Sequence, residues 1–171
     1  LYDGKNFIHI TEDEGLSYNG SYRSSLIEDR SGHLWIGTSG GGVNRISTKS
    51  FLRFTKAQGL SDNFIWNVLE DRKGNLWFGT NTGINVYDRK SIIHFPLPRF
   101  THASFKDKSG NLWFSGRGLN KYDGQSFFHF GLIPGFANGG LRSILEDSRG
   151  HLWLGGSSLM RFEPAADGKS G

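Results

Sequence analysis

The chain has 171 residues, enough for one domain with a buried core, and combines 25 glycines and 4 prolines with 14% aromatic residues. That mixture fits short strands joined by tight turns and excludes a disordered chain, which would lack the aromatics. With no cysteine, a disulfide framework, a thiolate metal site and a thiol nucleophile are all excluded, and the formal charge of +4 is so scattered that no Lys/Arg run exceeds two, which speaks against a nucleic-acid partner.

No apolar run reaches the length of a membrane-crossing helix, so no membrane insertion is expected of this segment. The chain opens on Leu1 rather than Met and reads as an excerpt of a longer protein. Leu1–Ile10, LYDGKNFIHI, matches Lys121–Phe130, KYDGQSFFHF. The opening therefore reads as the end of one strand and a whole further strand at residues 7–11.

Four related hairpins follow. They are Leu26–Thr38 (LIEDRSGHLWIGT), Val68–Thr80 (VLEDRKGNLWFGT), Ser104–Gly116 (SFKDKSGNLWFSG) and Ile144–Gly156 (ILEDSRGHLWLGG). Their tryptophans, Trp35, Trp77, Trp113 and Trp153, are spaced by 42, 36 and 40 residues, the period of propeller blades. In each, an apolar strand ends in Asp29, Asp71, Asp107 or Asp147, and Gly32, Gly74, Gly110 or Gly150 stands three residues on. Asp at the first turn position and Gly at the fourth describe a type I turn closing on a glycine bulge. Asp accepts from the turn's own N–H groups, and Gly supplies the positive φ.

Two more strands follow the first three hairpins: VNRIS and FLRFT, then INVYD and IIHF, then LNKYD and FFHF. The last hairpin is followed by Leu159–Phe162 alone. The fold class is therefore all-β, a β-propeller of four-stranded antiparallel blades with strands A to D from the axis outward, four blades in this chain. The propeller spans residues 1–164, and 165–171 form a flexible tail. The strand at 7–11 could complete the C-terminal blade and close a four-bladed ring. The alternatives are half of an eight-bladed dimer, or part of a larger propeller.

The pattern G-L-S, an apolar strand, then E-D-x-x-G-x-L-W-I/F-G-T-x-x-G-G stands here as Gly15-Leu16-Ser17 with Glu28–Gly42 and as Gly59-Leu60-Ser61 with Glu70–Gly83. It resembles the two-component regulator propeller repeat. That resemblance implies a sensor region of a bacterial hybrid histidine kinase, periplasmic or extracellular and often tuned to glycans. Such sensors usually carry many more repeats in seven-bladed rings. Nothing in the sequence looks like a kinase, a response regulator or a DNA-binding output domain. The later blades depart from the pattern. Lys106 stands where the others have Glu28, Glu70 and Glu146, and Ser115 where they have Gly37, Gly79 and Gly155. The third blade lacks the G-L-S lead-in.

What repeats reads as scaffold: the tryptophans as inter-blade packing, the aspartates as turn formers. His33 and His151 share one hairpin position and His9 and His129 one strand position, again a structural sign. Site candidates are the blade-specific residues on the face shared by the D-to-A and B-to-C connections, where the central channel opens. The ligand-binding set is Arg23, Asn63, Trp66, His102, Arg117 and Arg142, with Tyr22 and Asn138 nearby. An aromatic face beside Asn and Arg donors suits a glycan or another small polar ligand. No catalytic motif, metal set or cofactor site is read, so a non-enzymatic sensing or interaction module is expected. Self-association or further propeller repeats are the other expected partners. Two alternatives stay open. One is a lyase resembling the streptogramin lyases, in which His102 would meet a carboxylate at the mouth. The other is a purely structural scaffold.

Overall fold

The computed structural model describes residues 10–17, 25–47, 50–95, 101–102, 104–116, 118–134, 136 and 140–163. Its unit is the Asp-x-x-Gly hairpin. In the first, β1 (Ser25–Glu28) and β2 (Leu34–Gly37) pair antiparallel with Ile27 opposite Trp35. The Asp29 N–H donates to the His33 carbonyl at 2.9 Å, and the Gly32 N–H to the Asp29 carbonyl at 2.8 Å. Gly32 sits at φ 77°, a conformation that a Cβ would strain. The Asp29 carboxylate accepts from the Ser31 and His33 N–H groups at 2.9 and 3.0 Å and from Trp35 Nε1 at 2.8 Å. The same aspartate-to-indole bond recurs at Trp77, Trp113 and Trp153, at 3.0, 2.8 and 3.0 Å. One aspartate thus forms the turn and fixes the large ring that the next blade packs upon. His33 and His151 each set Nδ1 beside their hairpin aspartate, at 3.3 and 3.0 Å.

Blade I adds β3 (Val43–Ser47) and β4 (Ser50–Phe54). Blade II comprises β5 (Ile65–Glu70), β6 (Leu76–Thr80), β7 (Gly83–Tyr87) and β8 (Ile92–Phe95). Blade III comprises β9 (Ser104–Lys106), β10 (Leu112–Ser115), β11 (Leu119–Tyr122) and β12 (Phe127–His129). Blade IV holds β13 (Leu141–Glu146), β14 (Leu152–Gly156) and β15 (Leu159–Phe162). Each sheet is ordered A-B-C-D, so the described residues form three four-stranded sheets and one of three strands. The innermost strands β1, β5, β9 and β13 lie side by side in chain order. The expected strand at 7–11 falls mostly outside the described residues, as does the tail at 165–171; Ile10 and Thr11 are in no strand. No pairing among the described residues joins the first sheet to the last.

Each blade has two apolar faces. The far face, bearing the repeated tryptophan, packs on the near face of the following blade. Trp35 and Val43 of blade I meet Ile65, Val68, Leu76 and Phe78 of blade II. Trp77 and Ile84 meet Leu112 and Phe114, and Trp113 and Leu119 meet Ile144, Leu152 and Leu154. Burial from both sides explains why β6 (LWFGT) shows no polar alternation.

The G-L-S lead-in has a packing role. Leu60 is buried, and the Ser61 N–H and hydroxyl both donate to Asn85 Oδ1 on β7, at 3.2 and 2.8 Å. Ser17 makes the equivalent link to Asn44 on β3. Blade III, without the lead-in, places His129 Nδ1 2.8 Å from Asn120 Oδ1 instead. Polar clamps close the hairpin ends of the seams. Glu70 accepts the Arg30 N–H at 3.2 Å across seam I–II, and Glu146 the Lys108 N–H at 2.6 Å across seam III–IV.

Candidate ligand-binding site

The D-to-A and B-to-C connections do share one face. The Ile65 N–H donates to the Thr38 carbonyl at 2.9 Å, and Phe64 bridges to Ser39, so the entry to blade II lies on the B–C loop of blade I. Here the innermost strands are irregular. In β5 the register shifts between Ile65 and Asn67, and in β13 between Leu141 and Ser143. Trp66 and Arg142 are therefore the extra residues of two β-bulges, devices that re-aim a side chain out of the ladder. His102 precedes β9 at the same register. Each of the three stands eleven residues before its blade's repeated tryptophan.

Consecutive blades thus carry an indole, an imidazole and a guanidinium at one sequence register of their innermost strands, and of the three the structure brings Trp66 and His102 together. The Trp66 and His102 rings meet edge-on, with centroids 4.2 Å apart at 71°. Phe64 tilts against Trp66 at 4.6 Å, and Trp66 Nε1 donates to Asn81 Oδ1 at 2.8 Å. Asn67 Nδ2 donates to the Thr101 carbonyl at 2.6 Å, fixing the backbone that carries His102 to blade II. Trp66 and His102 are half-buried, and Arg142 is exposed. The arrangement offers an apolar ring face with polar edges and a flexible cation, which suits a polar ligand with a flat or CH-rich face.

Asn63 lies beside this group, but its Oδ1 accepts the Lys56 N–H at 2.8 Å, at the start of the short 3₁₀ turn Lys56–Gln58. Arg23, Arg117, Tyr22 and Asn138 lie outside the described residues. Among the described residues no group of three or more His, Asp or Glu side chains could hold a metal ion.

A crevice of about 250 Å³ lies on the opposite face, between the blade II hairpin and the β11–β12 turn. Sequence reading missed it, although the signal is a single difference. In blade II the turn reads Tyr87-Asp88-Arg89, and Arg89 fills seam I–II, donating to Asp29 at 2.7 Å, to Glu70 at 3.1 Å and to the Gly74 carbonyl at 3.0 Å. In blade III it reads Tyr122-Asp123-Gly124, and the space an arginine would occupy is open. Its lining mixes Asp71 and Asp123 with Arg72 and Lys73, and so favours neither charge. Burial, then the charges of Asp71 and Asp123, pushes the Tyr122 hydroxyl up, so it stays a neutral donor.

The fold is a β-propeller built from repeated blades. Residues 15–40, 59–82 and 135–158 match the model of the two component regulator propeller, and the chain carries the repeats of that family. No curated protein matches the sequence significantly. Among solved structures, one similar chain is the extracellular domain of a B. thetaiotaomicron protein assigned as a hybrid two-component system. It is 25% identical with a TM-score of 0.76, covering 95% of this chain and 24% of that one. A second is the extracellular domain of a B. thetaiotaomicron protein assigned as a one-component system, at 24% identity and TM-score 0.61, covering 77% and 22%. A streptogramin B lyase matches at 17% identity and TM-score 0.66, covering 86% and 53%. The last two likenesses show the fold alone. The chain spans about a quarter of the length of the two extracellular domains.

Proposed function

We propose that the chain is a ligand-sensing module of a bacterial regulator, working in the periplasm or outside the cell, and binding rather than transforming its ligand. The repeat family and the likeness to the extracellular domain of a hybrid two-component system support this context. The ligand is a glycan or another small polar molecule, held at the channel mouth. The observation that carries this reading is the shared register of Trp66, His102 and Arg142, with two of the three on bulges. Repeated scaffold positions are buried or spent on turns, whereas these three differ from blade to blade at one place.

Calorimetry against a panel of neutral and acidic saccharides tests the proposal. Trp66→Ala and Arg142→Ala are each expected to weaken binding about tenfold, the loss of one partly desolvated ring or cation contact. Gln125→Ala, on the opposite face, leaves it unchanged. A saccharide bound equally well by both mouth variants would refute the site, and turnover of a bound ligand would refute the non-enzymatic reading.

A further inference from the structure

The crevice between blades II and III has a filled counterpart one seam earlier. At seam I–II, Asp29 Oδ2 has three nitrogen neighbours: Trp35 Nε1 at 2.8 Å, His33 Nδ1 at 3.3 Å and the Arg89 guanidinium at 2.7 Å. At seam II–III, Asp71 Oδ2 has the equivalents of the first two, Trp77 Nε1 at 3.0 Å and Asn75 Nδ2 at 2.9 Å, and lacks the third among the described residues. Arg89 also donates to the Gly74 carbonyl, and the equivalent Gly110 carbonyl accepts nothing among the described residues. Its last acceptor, Glu70, is replaced in blade III by Lys106, whose ammonium is turned to the Glu70 carbonyl at 3.0 Å. Asp123 lines the crevice instead. Its Oδ1 accepts the Gln125 and Ser126 N–H groups, both at 2.8 Å, and its Oδ2 has no hydrogen bond among the described residues. The Tyr87 hydroxyl donates to the Arg89 carbonyl at 3.2 Å, whereas the equivalent Tyr122 hydroxyl has no such bond among the described residues. Burial, then the charges of Asp71 and Asp123, raise that hydroxyl, so the field around it is negative. Arg72, lying against Gly110, and Lys73, 3.4 Å from the Gly124 carbonyl, add two exposed cations. Both walls belong to adjacent blades inside the chain. Each repeat contacts its neighbours, so blades placed before blade I or after blade IV leave the crevice as it is.

We propose that this crevice binds a small zwitterion whose guanidinium takes the place that the Arg89 side chain fills at seam I–II, as free arginine does in chemical terms. The guanidinium donates to Asp71 and the Gly110 carbonyl with Asp123 as a further counter-charge, and the ligand's carboxylate meets Arg72 and Lys73. A planar fork of donors suits a carboxylate and a carbonyl set side by side. A lining of mixed sign discriminates against a bare cation and a bare anion and admits a molecule that carries both. The volume of about 250 Å³ falls just below the range of drug-sized pockets and suits a molecule of amino-acid size. The ligand thereby supplies to seam II–III the clamp that Arg89 supplies to seam I–II. It acts at the other end of that seam from Trp66 and His102, independently of a saccharide at the mouth.

Calorimetry with L-arginine, L-citrulline and agmatine tests this. Arginine should bind at one site per chain. Citrulline, with a neutral urea in place of the guanidinium, and agmatine, without the carboxylate, should each bind at least about tenfold more weakly, the loss of one charge-assisted contact. Gly124→Arg should abolish arginine binding with unchanged near-ultraviolet circular dichroism, because the new side chain fills the crevice itself. A Cβ at Gly124 meets nothing within 4 Å, and its φ of 103° lies in the region that Arg89 adopts at 75°. Asp123→Asn keeps the Oδ1 acceptor of the turn and should weaken arginine binding about tenfold. Lys90→Ala, in the equivalent turn of blade II, should leave it unchanged. No saturable binding of arginine at roughly 10 mM overturns the proposal. So does citrulline or agmatine bound as tightly as arginine, or an arginine affinity that survives either Asp123→Asn or a folded Gly124→Arg.

Discussion

Arg89→Ala tests how the seams are held. Arg89 sits at φ 75°, and is the single non-glycine residue at positive φ among those described. It keeps that conformation because its guanidinium reaches Asp29 across the seam, Glu70 in its own blade and the Gly74 carbonyl. Burial alone pushes the Asp29 carboxyl up. Donation from Arg89, Trp35 and the His33 and Ser31 N–H groups outweighs it and holds the group well below the usual carboxylate range. Removing one partner of a buried ion pair costs about 3–5 kcal/mol. Arg89 is one-third exposed, so solvent screens part of this, and about 2 kcal/mol of side-chain entropy is recovered. The expected net loss is about 1–3 kcal/mol, and at roughly 2–4 °C per kcal/mol the midpoint should fall about 2–12 °C. Thermal unfolding followed by circular dichroism reads this, with Lys90→Ala in the same turn as control. The pH dependence gives a second check. The folded pKa of Asp29 lies below its unfolded value near 3.9, so its contribution is complete above that value and is lost as pH falls toward the folded one. Arg89→Ala shrinks that contribution, so the gap to wild type should be widest near neutrality and narrow below about pH 4. A midpoint equal to that of Lys90→Ala, or a gap indifferent to pH, refutes the reasoning.

Two further outcomes follow from the hairpins. Asp147 is held below the usual carboxylate range first by the Trp153 indole N–H, against burial, and then by the His151 and Arg149 N–H groups. Asp147→Asn should therefore flatten the acid limb of stability measured below about pH 4, and an unchanged limb would show that the aspartate contributes nothing there. Trp77→Phe keeps a ring in the blade II–III cluster but removes the indole donor to the buried Asp71, for an expected cost of about 1–3 kcal/mol in urea unfolding. Trp153→Phe, at a half-exposed position, should cost less; equal costs would remove the distinction between closed seams and the open face.

The blades were legible because their signal is local. Asp, Gly and Trp recur within seven residues, and each acts on its neighbours, the aspartate on its own turn and on an indole six residues away. The mouth was half legible. Trp66, His102 and Arg142 stand at a constant offset from the repeated tryptophans, but bulges carry no composition of their own, so the sequence suggested a face and the register made it a set. Asn63 shows the opposite case, a polar residue on the right face whose side-chain oxygen caps a local turn. The Arg89 clamp was hidden because its partners lie 60 and 19 residues away, and because an arginine at positive φ contradicts local preference.

The three seams do not use the same chemistry, and the difference bears on where a ligand could act. Seams I–II and III–IV carry directional clamps, Arg89 with Asp29 and Lys108 with Glu146 and the Asp147 carbonyl. At seam II–III, Lys106 replaces the glutamate and donates to the Glu70 carbonyl at 3.0 Å, and Gly124 replaces the arginine. Besides the Asn67 Nδ2 and Lys73 Nζ donations to the Thr101 and Gly124 carbonyls, that seam holds Trp77 packed among Phe95, Phe114, Tyr122 and Phe127, at centroid distances of 4.6 to 6.1 Å. Ring contacts tolerate a small slide that would break a charge-assisted hydrogen bond, because dispersion and burial depend weakly on direction whereas hydrogen bonds weaken steeply off axis. The Trp66–His102 pair spans the mouth of this same seam. A ligand resting on both rings would therefore bridge blades II and III, which among the described residues are joined by hydrogen bonds from Asn67, Lys73 and Lys106 to backbone carbonyls and by no carboxylate clamp of the kind at the other two seams.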